Sequence, residues 1–255
     1  MSKFYINKSY IKSENILSIE DIDALLQEGQ FIVKGGNVEV RRLQIGTIMC
    51  FIKKYFYKPS YRYLGRCSSA FGEKKSYDCF SKLEIPHPQV ILCAEKRVIG
   101  KLHWSILATQ EIPEATDLVS FLMSNNDHTL RKYIIDKIAC MTGHIHNNGF
   151  FHGSLRLRNI LLTQNTNPFF IDCPKGKYKK TPIGRGFIYD LLSIYKDITR
   201  VCTQEESKFF IAKYCAKTGK NIQQWQQKLP QMCYKKFGKM KPLRPLPTTL
   251  NTTNK

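Results

Sequence analysis

The hydrophobic pattern of this chain changes its period once, and that change limits the folds open to it. From Phe31 to Thr109 the apolar residues come in short runs: Phe31-Ile32-Val33, then Val38 to Ile45 with near alternation, then Ile48 to Ile52. Alternation at every second position sets one face of an extended strand on a core. Lys34-Gly35-Gly36-Asn37 and Gly46-Thr47 separate the runs. Tight glycine turns of that kind join antiparallel neighbours. Beyond Gln110-Glu111-Ile112-Pro113 the spacing lengthens to three and four. Leu130, Tyr133, Ile134, Ile138, Met141 and Ile145 then fall on one face of a helix, which Asn126-Asp127 can cap and Asn148-Gly149 ends. A small sheet followed by helices is an α+β arrangement in two parts.

The first part also contains a helical pattern, from Ser68 to Leu83 with Phe71, Tyr77, Phe80 and Leu83 in step, and strands at Gln89–Cys93 and Ser105–Thr109. Ser18-Ile19-Glu20-Asp21, followed by Ile22, Ala24, Leu25 and Leu26, predicts a short capped helix. Helical patterns return at 186–199 and 205–238. From Met240 the chain holds three prolines with Lys241, Arg244 and Lys255, the composition of a basic disordered tail. The expected division is therefore an N-terminal sheet lobe with one helix at 1–112, a mostly helical lobe at 113–239 and a tail at 240–255. A chain of 255 residues with 42% hydrophobic content can bury a core in both lobes.

Forty Lys and Arg against twenty Asp and Glu give a formal charge of +20. That excess favours anionic partners such as phosphorylated lipid, an acidic membrane face or nucleic acid. Nucleic acid is disfavoured because no reader motif or spaced aromatic platform accompanies the charge. The nine cysteines show no C-x-x-C pair and are odd in number, which argues against a zinc knuckle or a disulfide framework and fits reduced thiols in a cytoplasm. No run of about 18 apolar residues is present, so membrane contact would be peripheral.

The chemistry-bearing residues sit in four places. Phe151-His152-Gly153-Ser154-Leu155-Arg156-Leu157-Arg158-Asn159 follows the long helix. It has the form of a kinase-like catalytic loop, His-x-Asp-Leu-x-x-x-Asn, except that Ser154 stands where the Asp belongs. Asp172 lies 13 residues beyond Asn159, at the end of the apolar run Phe169-Phe170-Ile171. An Asp and an Asn at that spacing offer oxygen ligands that suit magnesium and the phosphates it bridges. Cys50-Phe51-Ile52-Lys53 reads as a strand ending in a phosphate-binding lysine. Glu73, 20 residues on in the predicted helix, can fix that flexible side chain.

In order and wording, these segments resemble the bacterial lipopolysaccharide kinases, small relatives of the protein kinases that phosphorylate Kdo or heptose of the inner core. The resemblance rests on Phe51-Ile52-Lys53-Lys54-Tyr55, Ala70-Phe71-Gly72-Glu73, Glu84-Ile85-Pro86-His87-Pro88, and Ala108-Thr109-Gln110-Glu111-Ile112 with Asp117-Leu118. It continues through Ile145-His146-Asn147-Asn148-Gly149-Phe150-Phe151-His152-Gly153, Phe170-Ile171-Asp172 and Asp190-Leu191-Leu192, spanning roughly residues 31–195. It implies a two-lobed protein-kinase-like fold with ATP in the cleft and Mg2+ as cofactor. Lys53 would bind phosphate with Glu73 as its partner, and Asn159 and Asp172 would hold the metal. Glu111 would belong to the cofactor-binding set, and His152 would brace the loop. The implied acceptor is an anionic sugar lipid such as the lipopolysaccharide core, reached from the cytoplasmic face of the inner membrane.

Three departures stand beside the resemblance. Ser154 keeps its proton near neutral pH and cannot serve as general base, a loss that typically costs ~10²–10⁴-fold in rate. Cys173-Pro174 follows Asp172 where protein kinases have Phe-Gly, and Gly35-Gly36 forms a hairpin turn rather than a full glycine-rich loop. Two readings follow: a phosphotransferase acting on a sugar hydroxyl, or a catalytically impaired pseudokinase that binds nucleotide as a scaffold or regulator.

Overall fold

The structure, a computed structural model, describes residues 3–7, 9, 22, 24, 28–58, 63–181 and 184–239. The short helix expected at 18–26 and the tail from 240 lie largely or wholly outside the described residues. Two compact units divide the chain. One takes the residues up to Pro113 together with Asp172–Gly176, and the other takes Glu114–Ile171 and the residues from Lys177 onward.

The first unit is an antiparallel sheet of six strands with one helix. Its strands are β1 (Lys3–Ile6), β2 (Gln30–Gly35), β3 (Val38–Ile45), β4 (Ile48–Phe56), β5 (Val90–Val98) and β6 (Lys101–Gln110), in the order β1-β5-β6-β4-β3-β2. Helix α1 (Ser69–Lys82) starts where the Ser68 hydroxyl accepts from the Phe71 N–H. The strands alternate as the pattern predicted. Cys50 and Ile52 of β4 join Ile91, Leu92, Ala94, Ile106 and Ala108 in one buried cluster. Lys53 and Tyr55, being odd-numbered, share the other side of the strand.

Two features of this sheet exceed the expectation. Strands β5 and β6 run on through the charged stretch Glu95-Lys96-Arg97 and turn at Ile99-Gly100, both at positive φ. Polar residues there hid the strand because their partners lie on distant segments. Strand β1 pairs with β5 at the sheet edge, Lys3 opposite Glu95 and Tyr5 opposite Cys93. Four residues carry too little periodicity to announce a strand.

The second unit is mainly helical. It comprises α2 (Leu118–Ser124), α3 (His128–Asn147), α4 (Arg185–Val201), α5 (Gln204–Thr218) and α6 (Ile222–Phe237). Small ladders accompany them: β7 (Thr116–Asp117) with β9 (Ile160–Leu162) and β10 (Pro168–Phe170), and β8 (Phe150–Phe151) with β11 (Lys177–Tyr178). Asp127 caps α3 through the Thr129 and Leu130 N–H groups, as the sequence indicated. The helical stretch 205–238 is divided by Gly219, which takes φ 67 and closes α5, and Asn221 caps α6. A buried pair, Arg131 Nε to Glu206 Oε1 at 2.7 Å, ties α3 to α5.

Candidate active site

In the sheet unit, three charged residues meet. Lys53 Nζ lies 2.9 Å from Glu73 Oε1 and 3.1 Å from Asp172 Oδ1. Strand β4 aims Lys53 towards α1, where Glu73 is fully buried at 0% exposure. Burial opposes the lysine charge, yet the two carboxylates outweigh it and hold the Lys53 ammonium well above the ordinary lysine range. Lys53 is thus a fixed cation.

Two tyrosines, read in the sequence only as part of the helical pattern and of the Phe51–Tyr55 motif, complete the arrangement. Tyr55 donates to Glu73 Oε2 and Tyr77 to Glu73 Oε1, each at 2.8 Å. Burial, and next the Glu73 charge, push both phenols well above their ordinary range, so both stay protonated donors. Charge-assisted bonds of this kind fix a carboxylate rotamer. The signal was available: Tyr55 stands two residues after Lys53 on a strand, and Tyr77 stands four after Glu73 on a helix, spacings that share a face.

Asp172 reaches this cluster because its segment docks on α1. The Ser76 hydroxyl donates to the Cys173 carbonyl at 2.8 Å, and the Asp172 N–H points at the Tyr77 hydroxyl at 3.4 Å. Gly72 makes the approach possible, since a Cβ there would sit 2.7 Å from the Pro174 carbonyl oxygen. The sequence pattern had Asp172 end a strand. Instead β10 stops at Phe170 and Asp172 takes φ 61, a strained value for a residue with a Cβ. The turn away from the ladder is what delivers the carboxylate to Lys53.

In the helical unit, the loop after β8 is shaped by two buried aspartates of α4. Asp190 accepts the His152 N–H on Oδ2 and the Gly153 N–H on Oδ1, the latter at 2.9 Å. Gly153 takes φ 76 there, which a side chain would strain. Asp197 grips Arg156 through both oxygens, at 2.9 and 3.0 Å. His152 is buried with Nε2 3.1 Å from the Ile171 carbonyl, the bracing role expected of it. His146 packs inside the unit against Tyr214, with Nδ1 2.9 Å from its hydroxyl.

Ser154 and Asn159 face each other on this loop. Asn159 Nδ2 donates to the Ser154 carbonyl at 2.7 Å and to its Oγ at 3.2 Å. A main-chain carbonyl can only accept, so the amide orientation is fixed and Asn159 Oδ1 faces away from Ser154. That oxygen is suited to a hard cation. Among the described residues no cluster of three or more His, Cys, Asp or Glu could hold a metal unaided. The Asp172 carboxylate and the Asn159 amide oxygen are each, taken singly, a donor type that suits Mg2+. Glu111, the remaining expected site residue, has its carboxylate committed to Arg42 at 2.9 Å, while its N–H bonds the Met49 carbonyl at 2.8 Å.

The comparisons bear on the family and the fold. In three dimensions the chain is similar to a solved structure titled "WaaP in complex with acyl carrier protein", with a TM-score of 0.72 and 15% identity over 92% of this chain and 97% of that one. That likeness establishes the kinase-like fold. No curated protein sequence matches the chain. The family model described as "Lipopolysaccharide kinase (Kdo/WaaP) family" matches residues 13–214 of the 255, and the chain accordingly belongs to the lipopolysaccharide kinase (Kdo/WaaP) family.

Proposed function

We propose that this protein is an ATP-dependent phosphotransferase acting on a sugar hydroxyl of an anionic lipid such as the lipopolysaccharide core. The observation that carries the reading is the Lys53–Glu73–Asp172 cluster with its two tyrosine clamps. A cation held between two carboxylates, one of them fully buried, is poorly explained as surface charge. It is well suited to neutralise the phosphates of a nucleotide.

Lys53 would contact the phosphates, with Glu73 keeping its stem in place. Asp172 and Asn159 Oδ1 would ligate Mg2+. The bound metal nucleotide supplies the transferable phosphoryl group and neutralises charge on it. Glu111 would face the nucleotide through its main chain, since its side chain is engaged. The acceptor hydroxyl would be oriented at Ser154, which can share a hydrogen bond but cannot take up a proton. Positioning and charge neutralisation dominate phosphoryl transfer, so a slow reaction is compatible with Ser154. The same residue favours a second reading, a pseudokinase that binds nucleotide and regulates a partner. Among the described residues no helix is long and apolar enough to cross a membrane. The +20 charge suits peripheral approach to an anionic lipid surface.

Thermal unfolding with and without Mg-ATP tests the nucleotide site. A ligand at ~100 times its Kd adds ~2.7 kcal/mol, a midpoint rise of roughly 2–4 °C for a chain of this size. The rise should need magnesium and vanish in Asp172→Ala. Absence of any rise in the wild type sinks both readings, and a rise without transfer to the acceptor leaves the pseudokinase.

A further inference from the structure

A cavity of about 390 Å³ opens on the sheet unit beside the start of α1, and the proposed function does not use it. Its lining includes Glu95 and Arg97 of β5, Lys3 of β1, Arg66 and Cys67 ahead of α1, and Lys75 within it. Lys53 lies on a different strand, β4.

The cavity is built rather than incidental. Arg97 Nε bonds Glu95 Oε1 at 2.9 Å, while Nη1 and Nη2 bond the carbonyls of Tyr63 and Arg66 at 2.9 and 2.7 Å. One guanidinium therefore pins the segment that forms a wall. Glu95 is 1% exposed, so it holds Arg97 from within the wall and is not itself open to a ligand. Lys3 approaches Oε1 at 3.4 Å. Arg66 and Lys75 are exposed. Four cations and one carboxylate line the space, so a dianion can enter without leaving net negative charge.

We propose that this cavity is a second anion site, which takes a phosphomonoester. Arg66, Lys75 and Lys3 would hold the phosphate. A soluble polyol phosphate and a lipid headgroup share this chemistry.

Cys67 supplies the readout. It lines the cavity and is the exposed member of the nine free cysteines. The rate of Cys67 alkylation is measured in the full chain with glycerol 3-phosphate, or with phosphatidylcholine vesicles with and without phosphatidic acid. Sodium chloride at equal ionic strength is the reference. A probe at about ten times its Kd should slow alkylation about tenfold. Protection by the free phosphate identifies a soluble ligand, and protection by phosphatidic acid vesicles alone identifies a headgroup. Protection should disappear in Arg66→Ala/Lys75→Ala with an unchanged unfolding midpoint, and it should survive in Lys53→Ala. No slowing by either probe overturns the site. So does protection that persists in the double variant or is lost in Lys53→Ala.

Discussion

The charged cluster of the sheet unit and the loop of the helical unit treat their reactive residues in opposite ways. Around Lys53 every participant is ionised or donates to an ion, and the lysine is fixed by two carboxylates, one of which two tyrosines fix in turn. On the loop the supports are just as complete, with Asp190 on the main chain and Asp197 on Arg156, but residue 154 is a neutral hydroxyl. The loop's shape rests on those aspartates and on Gly153, so exchanging an Asp for a Ser at 154 leaves it standing. On the proposed function, holding a substrate and moving its proton would be separable tasks, assigned to different residues with different supports.

Ser154→Asp probes the separation most strongly. Restoring a carboxylate should raise the rate of phosphate transfer by roughly 10²-fold or more, measured with radiolabelled ATP and lipopolysaccharide core, while the Mg-ATP unfolding shift stays as it was. An unchanged rate breaks the contrast, because the acceptor proton then leaves by a route that does not need residue 154.

A purely structural ion pair gives the control. Glu206→Ala should destabilise the protein by about 3–5 kcal/mol, since it strands the buried Arg131. Denaturant unfolding at neutral pH reads that difference. The bond from Arg131 holds the Glu206 carboxyl below its ordinary value of 4.5, with burial opposing. A depressed folded-state value means that the contribution is present above pH 4.5 and is lost as pH falls below it. The gap between wild type and variant should narrow over that acid range.

Lys53→Met should lower transfer by about 10²–10³-fold, the scale for losing one preorganised charge donor. The variant's far-ultraviolet dichroism should stay near wild type, and a rate loss matched by unfolding would count against a functional lysine. The smallest effects belong to the clamps. Tyr55→Phe and Tyr77→Phe each remove a hydrogen bond to a charge, worth about 1.5–3 kcal/mol. The two should be non-additive in a double-mutant cycle because both act on Glu73. Strict additivity would show that Glu73 is held by something other than this pair.

Much of this site was legible along the chain. Lys53 and Glu73 are marked by a strand and a helix with clear periods, and Asn159 and Asp172 by their distance from a recognisable loop. Tyr55 and Tyr77 were not read as site residues, although each stands at a same-face spacing from a marked residue, because a tyrosine in an apolar pattern reads as core. Strand β1 and the charged ends of β5 and β6 escaped for a related reason: their polar residues are matched by partners far away in sequence, Lys3 by Glu95 and Arg97 by the carbonyls near Tyr63.

The sequence by itself determined the succession of the main strands and helices, the faces they bury, and the identity of the charges, since all of these follow from local spacing and side-chain chemistry. Only the tertiary structure decided that Asp172–Gly176 packs with the sheet unit. That docking needs the missing Cβ of Gly72, the Ser76 hydroxyl and a left-handed Asp172 to coincide, and the first two act in contacts between residues about 100 positions apart. Local periodicity has no term for such contacts, whereas close packing and the demand that buried polar groups find partners select them.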